Sequence, residues 1–163
     1  MIPDKILKFL AEQGNIGIAG TRDGNLVPHG HRICGWRLHA DRRTLTAFVG
    51  EPYAERFLQS VLDNGRIALT VEEAPFHETY QLKGRYLAHR PIRPDEAEIV
   101  NRTRERFALS VRQLSPDPET HGNWLRASIP DATLAVDMEV QEVFLQTPGP
   151  SAGSRLYPPA EEK

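Results

Sequence analysis

The stretch IGIAGTRDGNLVPHGHRICGWRLH, residues 16–39, decides the fold. Ile16 to Arg22 is short, carries β-branched residues and lies between Gly14 and Asp23-Gly24, which is the setting of a strand. Asp-Gly tolerates positive φ at both central positions of a tight turn, so it sends the chain back as a hairpin. Leu26 to His39 is then the returning strand. Residues 28–39 of that strand hold three of the chain's six histidines, two arginines, a tryptophan and the single cysteine.

Working outward, Pro3-Asp4 opens a helix, because proline suits the first helical position and a carboxylate complements the dipole. Ile6, Leu7 and Leu10 share a face of it, and Gly14 ends it. Ala40 to Arg43 turns the returning strand into a third, Thr44 to Val49. From Glu51 to Asp63, Ala54, Phe57, Leu58, Val61 and Leu62 form a helical stripe, closed by Asn64-Gly65. Arg66 to Val71 and Thr79 to His89 read as two more strands. Pro94-Asp95-Glu96 opens a second long helix running to about Leu114, and SPDPETH, residues 115–121, reads as a breaker-rich loop. In Leu134 to Val140, apolar Leu134, Val136, Met138 and Val140 alternate with Ala135, Asp137 and Glu139, the period of a half-buried strand. The order predicts six antiparallel strands with flanking helices. Such a set removes its exposed edges by curling into a barrel. Residues 1–147 form one domain in this reading, and 148–163 an extended tail with a disordered end.

Composition narrows the function. With 163 residues there is enough chain for one domain and a substantial core. The net charge of −2 lacks the basic excess of a nucleic-acid binder, so no nucleic-acid partner is expected. One cysteine makes no internal disulfide. No apolar run reaches bilayer length, and MIPDKILKFLAEQG lacks the build of a secretory signal. The expectation is a cytoplasmic protein without membrane contact.

On a regular strand His29 and His31 share one face, and Cys34 points the other way. An H-x-H metal site also needs a carboxylate soon after, and RICG follows instead, so no metal site is assigned. Cys34 as a nucleophile competes with the commoner role of a small buried hydrophobe. No G-x-S-x-G elbow offers a serine in its place.

Several features together resemble the pyridoxamine 5'-phosphate oxidase-like family of flavin-binding split β-barrels. They are the Asp23-Gly24 hairpin leading to Pro28, the Thr46-to-Arg56 passage from strand into helix, DNGRIALTV (63–71), TYQLKGRY (79–86) with Gly84, and EVFLQTPGPSAGSRL (142–156). The resemblance implies a six-stranded split barrel, mainly β with flanking helices. It also implies a homodimer that holds flavin mononucleotide (FMN) in two interface clefts. It carries cofactor contacts to His31, Arg32, Ile33 and Cys34, to Ala47, Phe48, Val49 and Gly50, and to Arg56. Gln81 and Trp124 are further cofactor candidates. Many members place Ser or Thr and then Lys or Arg at the helix entry. Here EPYAER sets Glu51 and Glu55 beside Arg56, and carboxylates facing a phosphate repel it.

The reading is therefore an FMN-binding, flavin-dependent oxidoreductase with unassigned catalytic residues and substrate. Two alternatives stay open. One is a non-enzymatic module for haem or another ligand, with His29, His31 or His39 as iron ligands, or with no cofactor. The other is a reductase using the deazaflavin F420. Trp124 either closes the cleft over the ring or anchors packing. Arg102, Arg104 and Arg106 read as a solvated helix face. Gln81 and Lys83 share a strand face. Gly84 marks either a close approach or a bulge.

Overall fold

The computed structural model describes residues 2–158 except Gln13, Pro52, Pro75 and Gln113, and excludes the side chains of Pro118, Leu125 and Arg126. In chain order the elements are α1 (Asp4–Ala11), β1 (Ile16–Arg22), β2 (Pro28–Ile33), β3 (Gly35–Leu38), β4 (Thr44–Gly50), α2 (Ala54–Asn64), β5 (Arg66–Glu73), β6 (Glu78–Pro91), α3 (Pro94–Arg112), α4 (Pro118–Ser128), β7 (Ala132–Leu145) and β8 (Arg155–Tyr157). All pairings are antiparallel, in the order β2-β1-β5-β6-β7-β4-β3, with β8 added on β7.

The first and last strands of that order, β2 and β3, are separated in the chain by Cys34 alone. One residue spans only about 3.5 Å, so the two edges of the sheet must meet and the sheet curls into a half-barrel. The architecture is mainly β with flanking helices, as the sequence predicts. The strand count differs, because the single strand expected from Leu26 to His39 breaks at Cys34-Gly35. Gly35 takes φ +152, a conformation that side chains disfavour, and a Cβ there would lie 3.2 Å from Thr103 Oγ1. The break also changes the phase of the strand. Ile33 and Trp36 both enter the barrel core, whereas strict alternation puts them on opposite faces.

Two apolar cores result. Inside the barrel, Leu45, Ala47 and Val49 of β4 meet Ile33, Leu69, Leu82 and Met138, closed by Phe9 and Leu10 of α1 and Phe57 and Val61 of α2. Outside it, Cys34, Phe48 and Ala135 pack against Val100, Phe107, Ala108 and Ile129 under α3 and α4. Every β4 residue after Thr44 is buried because the strand is covered on both faces. Helix α4 replaces the loop expected at SPDPETH. Asp117 accepts from Thr120 N at 3.3 Å and Pro118 sits in the first turn, a start signal hidden among breakers. The tail is also more ordered than predicted up to Pro158, since Arg155–Tyr157 pairs with β7. The predicted disordered end, 159–163, lies outside the described residues.

Arg104 is no free member of a solvated face: it donates to Ile129 O at 3.0 Å and to Asp131 Oδ1 at 2.9 Å, tying α3 to the start of β7. Gly84 sits at a bulge on β6, where an added Cβ would lie 2.1 Å from Glu139 O, so a close backbone approach accounts for it.

Candidate functional site

The residues predicted to cradle a cofactor separate into three environments. Ile33, Ala47 and Val49 point into the barrel core, and Cys34 and Phe48 into the core under α3 and α4. Gly50 is enclosed too, since a Cβ there would meet Asp131 O and Pro130 Cγ at 2.7 Å and Cys34 Sγ at 3.0 Å. The space expected between β2 and β4 is thus filled by this chain's own side chains. Burial pushes the Cys34 thiol up to about 11, so at neutral pH it carries no thiolate.

His31 faces inward under α2. Its ring lies edge-on to Phe57 at 4.6 Å and stacked over Tyr53 at 6.0 Å. Burial, reinforced by His29, pushes its pKa down to about 4, and its Nε2 has no hydrogen-bond partner. Trp36 is buried in the barrel core and donates to Leu10 O at 2.8 Å. Trp124 is 65% exposed on α4. It lines a shallow apolar hollow with Val111, Leu114 and Pro116. Arg56 is exposed on α2. The carboxylates flanking it are engaged elsewhere: Glu55 accepts from Gln59 at 3.2 Å and Glu51 from Thr133 at 3.4 Å.

Arg32 and Gln81 remain, and register joins them. The pairings Arg32↔Ile18, Ile18↔Thr70, Thr70↔Gln81 and Gln81↔Phe144 set five residues side by side on the outer face, across β2, β1, β5, β6 and β7. Ile18 is 52% exposed, and Gln81 Nε2 donates to Thr70 Oγ1 at 3.1 Å. Arg32 lies at the margin, donating to Ser128 Oγ at 3.2 Å and resting over the Phe107 ring.

The next row has almost no side chains. Gly30, Gly20 and Ala68 are neighbours in register, followed by Lys83 and Glu142. Beyond them stand Arg22, Arg66 and Arg85, and the trough between encloses about 530 Å³. Nothing local in the sequence marks these arginines as a group. They belong to three strands, and pairing alone assembles them. Among the described residues, no group of three His, Cys, Asp or Glu side chains has the arrangement to hold a metal ion. No helix is long and apolar enough to cross a membrane.

No family model matches the chain, and no curated protein matches it in sequence. Solved structures do match in shape. HupZ of Group A Streptococcus superposes with a TM-score of 0.54 over 94% of this chain and all of its own, at 16% identity. An F420 reductase superposes at 0.51 over 83% of this chain and 94% of its own, at 12% identity. A putative pyridoxamine 5'-phosphate oxidase from Lactobacillus delbrueckii has a TM-score of 0.49 and 14% identity, covering 88% of this chain and 93% of that one. At such identities the first two likenesses show the fold alone: a split β-barrel.

Proposed function

We propose that this protein binds flavin mononucleotide on the outer face of its sheet and works as a homodimeric, flavin-dependent oxidoreductase. The observation that carries the reading is the outward row Arg32–Ile18–Thr70–Gln81–Phe144. A planar ring needs an apolar platform with a few polar groups at its edge. Ile18 offers the platform, Phe144 an apolar border, Thr70 and Gln81 the edge, and Arg32 a cation for the phosphate. When bound, the flavin supplies the electron-transfer chemistry, and the chain orients it and sets its electrostatics. Ile18, in the middle of this row, is 52% exposed, so a second copy is the natural cover.

The row favours a flavin over haem, because none of the six histidines stands in it. His29 and His31 share the inward side of β2 by alternation. His39 is engaged with Thr46 Oγ1 at 2.7 Å. An F420 ring has the same shape requirement and is tested in parallel.

The test is the visible spectrum of the purified protein, followed by titration with FMN, riboflavin and F420. FMN is expected to bind best, about tenfold or more above riboflavin, through its phosphate. Gln81→Ala and Ile18→Asp should each weaken it. Equal affinity for riboflavin removes the role of Arg32, and a haem spectrum overturns the reading.

A further inference from the structure

We propose that the trough beside the flavin row is a second, separate site, for a ligand that carries two or more linked phosphate groups. The arginine row is the core of it. Arg66 and Arg85 are direct cross-strand partners on β5 and β6. Gly20 pairs with Ala68, so the same register continued by two residues sets Arg22 on the other side of Arg66. Strands lie about 4.8 Å apart, so the three guanidinium stems span about 10 Å, wider than one phosphate and matched to a short chain of them.

These charges lack a close counter-ion: Glu139, the cross-strand neighbour of Arg85 on β7, pairs instead with Arg43 at 3.1 Å. Among the described residues none of the three guanidinium groups has an ion pair or a hydrogen-bonded partner. Like charges directly opposite on a sheet destabilise it, so the apo fold carries a cost that a bound anion would offset. Lys83 adds a fourth cation to the lining. Its ammonium lies 4.4 Å over the Phe144 ring, on the border between trough and flavin row. The one carboxylate in the lining, Glu142, is paired with Arg155 of β8 at 3.6 Å. The floor is bare at Gly20, where the nearest atom to an added Cβ is Ala68 O at 3.7 Å. An anion can therefore sit low between the arginine forks. Guanidinium groups bind phosphate in a two-pronged way, and each added phosphate engages the next fork.

The experiment is calorimetric titration of the full chain at physiological ionic strength with inorganic phosphate, pyrophosphate, tripolyphosphate and citrate. Affinity should rise in the order phosphate, pyrophosphate, tripolyphosphate, by about tenfold or more in all, with citrate below tripolyphosphate. Arg66→Ala and Arg85→Ala should each lower tripolyphosphate affinity by about tenfold while raising the melting temperature of the ligand-free protein, because like-charge repulsion is relieved. A purely structural arginine would lower it. Arg42→Ala, which removes a surface cation paired with Asp4 of α1, should leave affinity unchanged. FMN binding should be unaffected by Arg66→Ala and Arg85→Ala. Loss of FMN binding in those variants would merge the two sites and overturn this proposal, as would no tripolyphosphate binding or equal binding of citrate. Tripolyphosphate binding in a protein that ignores FMN would leave this site standing and remove the flavin reading.

Discussion

Glu96 is fully buried, and both its carboxylate oxygens accept from the Arg90 guanidinium, at 2.6 and 2.7 Å. The backbone N–H of Arg93 donates to the same carboxylate at 2.9 Å, so one side chain caps the start of α3 and pins that helix to the end of β6. These bonds hold the carboxyl at about 2, the Arg90 contact being the largest cause.

Glu96→Gln should therefore destabilise the fold by about 2–4 kcal/mol, since it breaks a buried charge-assisted pair and leaves Arg90 uncompensated. The folded carboxyl lies below its ordinary 4.5. Its contribution is thus complete above pH 4.5 and is lost as pH falls toward 2. Urea midpoints of both proteins at pH 7 check the first statement. A shallower acid decline in the variant checks the second.

His31 predicts a second pH effect, at milder acidity. Its folded pKa is about 4 against an ordinary 6.5, so between those values the unfolded chain binds the extra proton. Stability is full above pH 6.5 and falls as pH drops to 4, by about 3 kcal/mol if this site acts alone. His31→Leu should flatten stability across that window. A wild-type profile flat from pH 6.5 to 4 would show that the ring is not buried in its neutral form.

Cys34 should be silent in the native protein. It is fully buried and its thiol is held at about 11 by that burial. A disulfide reagent at pH 8 should label nothing until denaturant is added, and then one equivalent per chain, because there is one cysteine. Rapid labelling of the folded protein would revive the nucleophile reading.

Two glycines, one on β6 and one on β1, should respond differently. Gly84→Ala forces a Cβ to within 2.1 Å of Glu139 O and 2.8 Å of Met138 Cε. The backbone oxygen cannot step aside, so a loss of about 3 kcal/mol or more is expected. Gly20→Ala meets nothing nearer than 3.7 Å. Its stability should change by less than about 1 kcal/mol in either direction, although the methyl group raises the trough floor. Thermal melts of the two variants side by side decide this.

Several elements are legible from residues close together in the chain. The reversal at Asp23 is one, its Oδ1 accepting from Asn25 N and Val27 N at 2.9 Å, although the loop spans 23–27 and the positive φ falls on Leu26 instead of on Asp23-Gly24. The end of α2 is another, where Gly65 takes φ +69 and its N–H returns to Val61 O. The alternation through Val136, Met138 and Val140 is a third, all three being buried. Each depends on interactions within a few residues, which propensity and period record directly.

The amino-acid sequence by itself determined the hairpin, the two amphipathic helices and the mainly β class, because turn chemistry and hydrophobic period are local properties. Only the tertiary structure decided the break at Cys34-Gly35, which follows from closing the sheet and from Thr103 standing against Gly35. It alone divided the expected cradle between two cores, since α3 and α4 cover the outer face of β4. It alone set Arg22, Arg66 and Arg85 in one line. Cross-strand neighbours are chosen by register, and register is fixed by which faces of distant strands are buried together. The spacing of three arginines along the chain carries no trace of that choice.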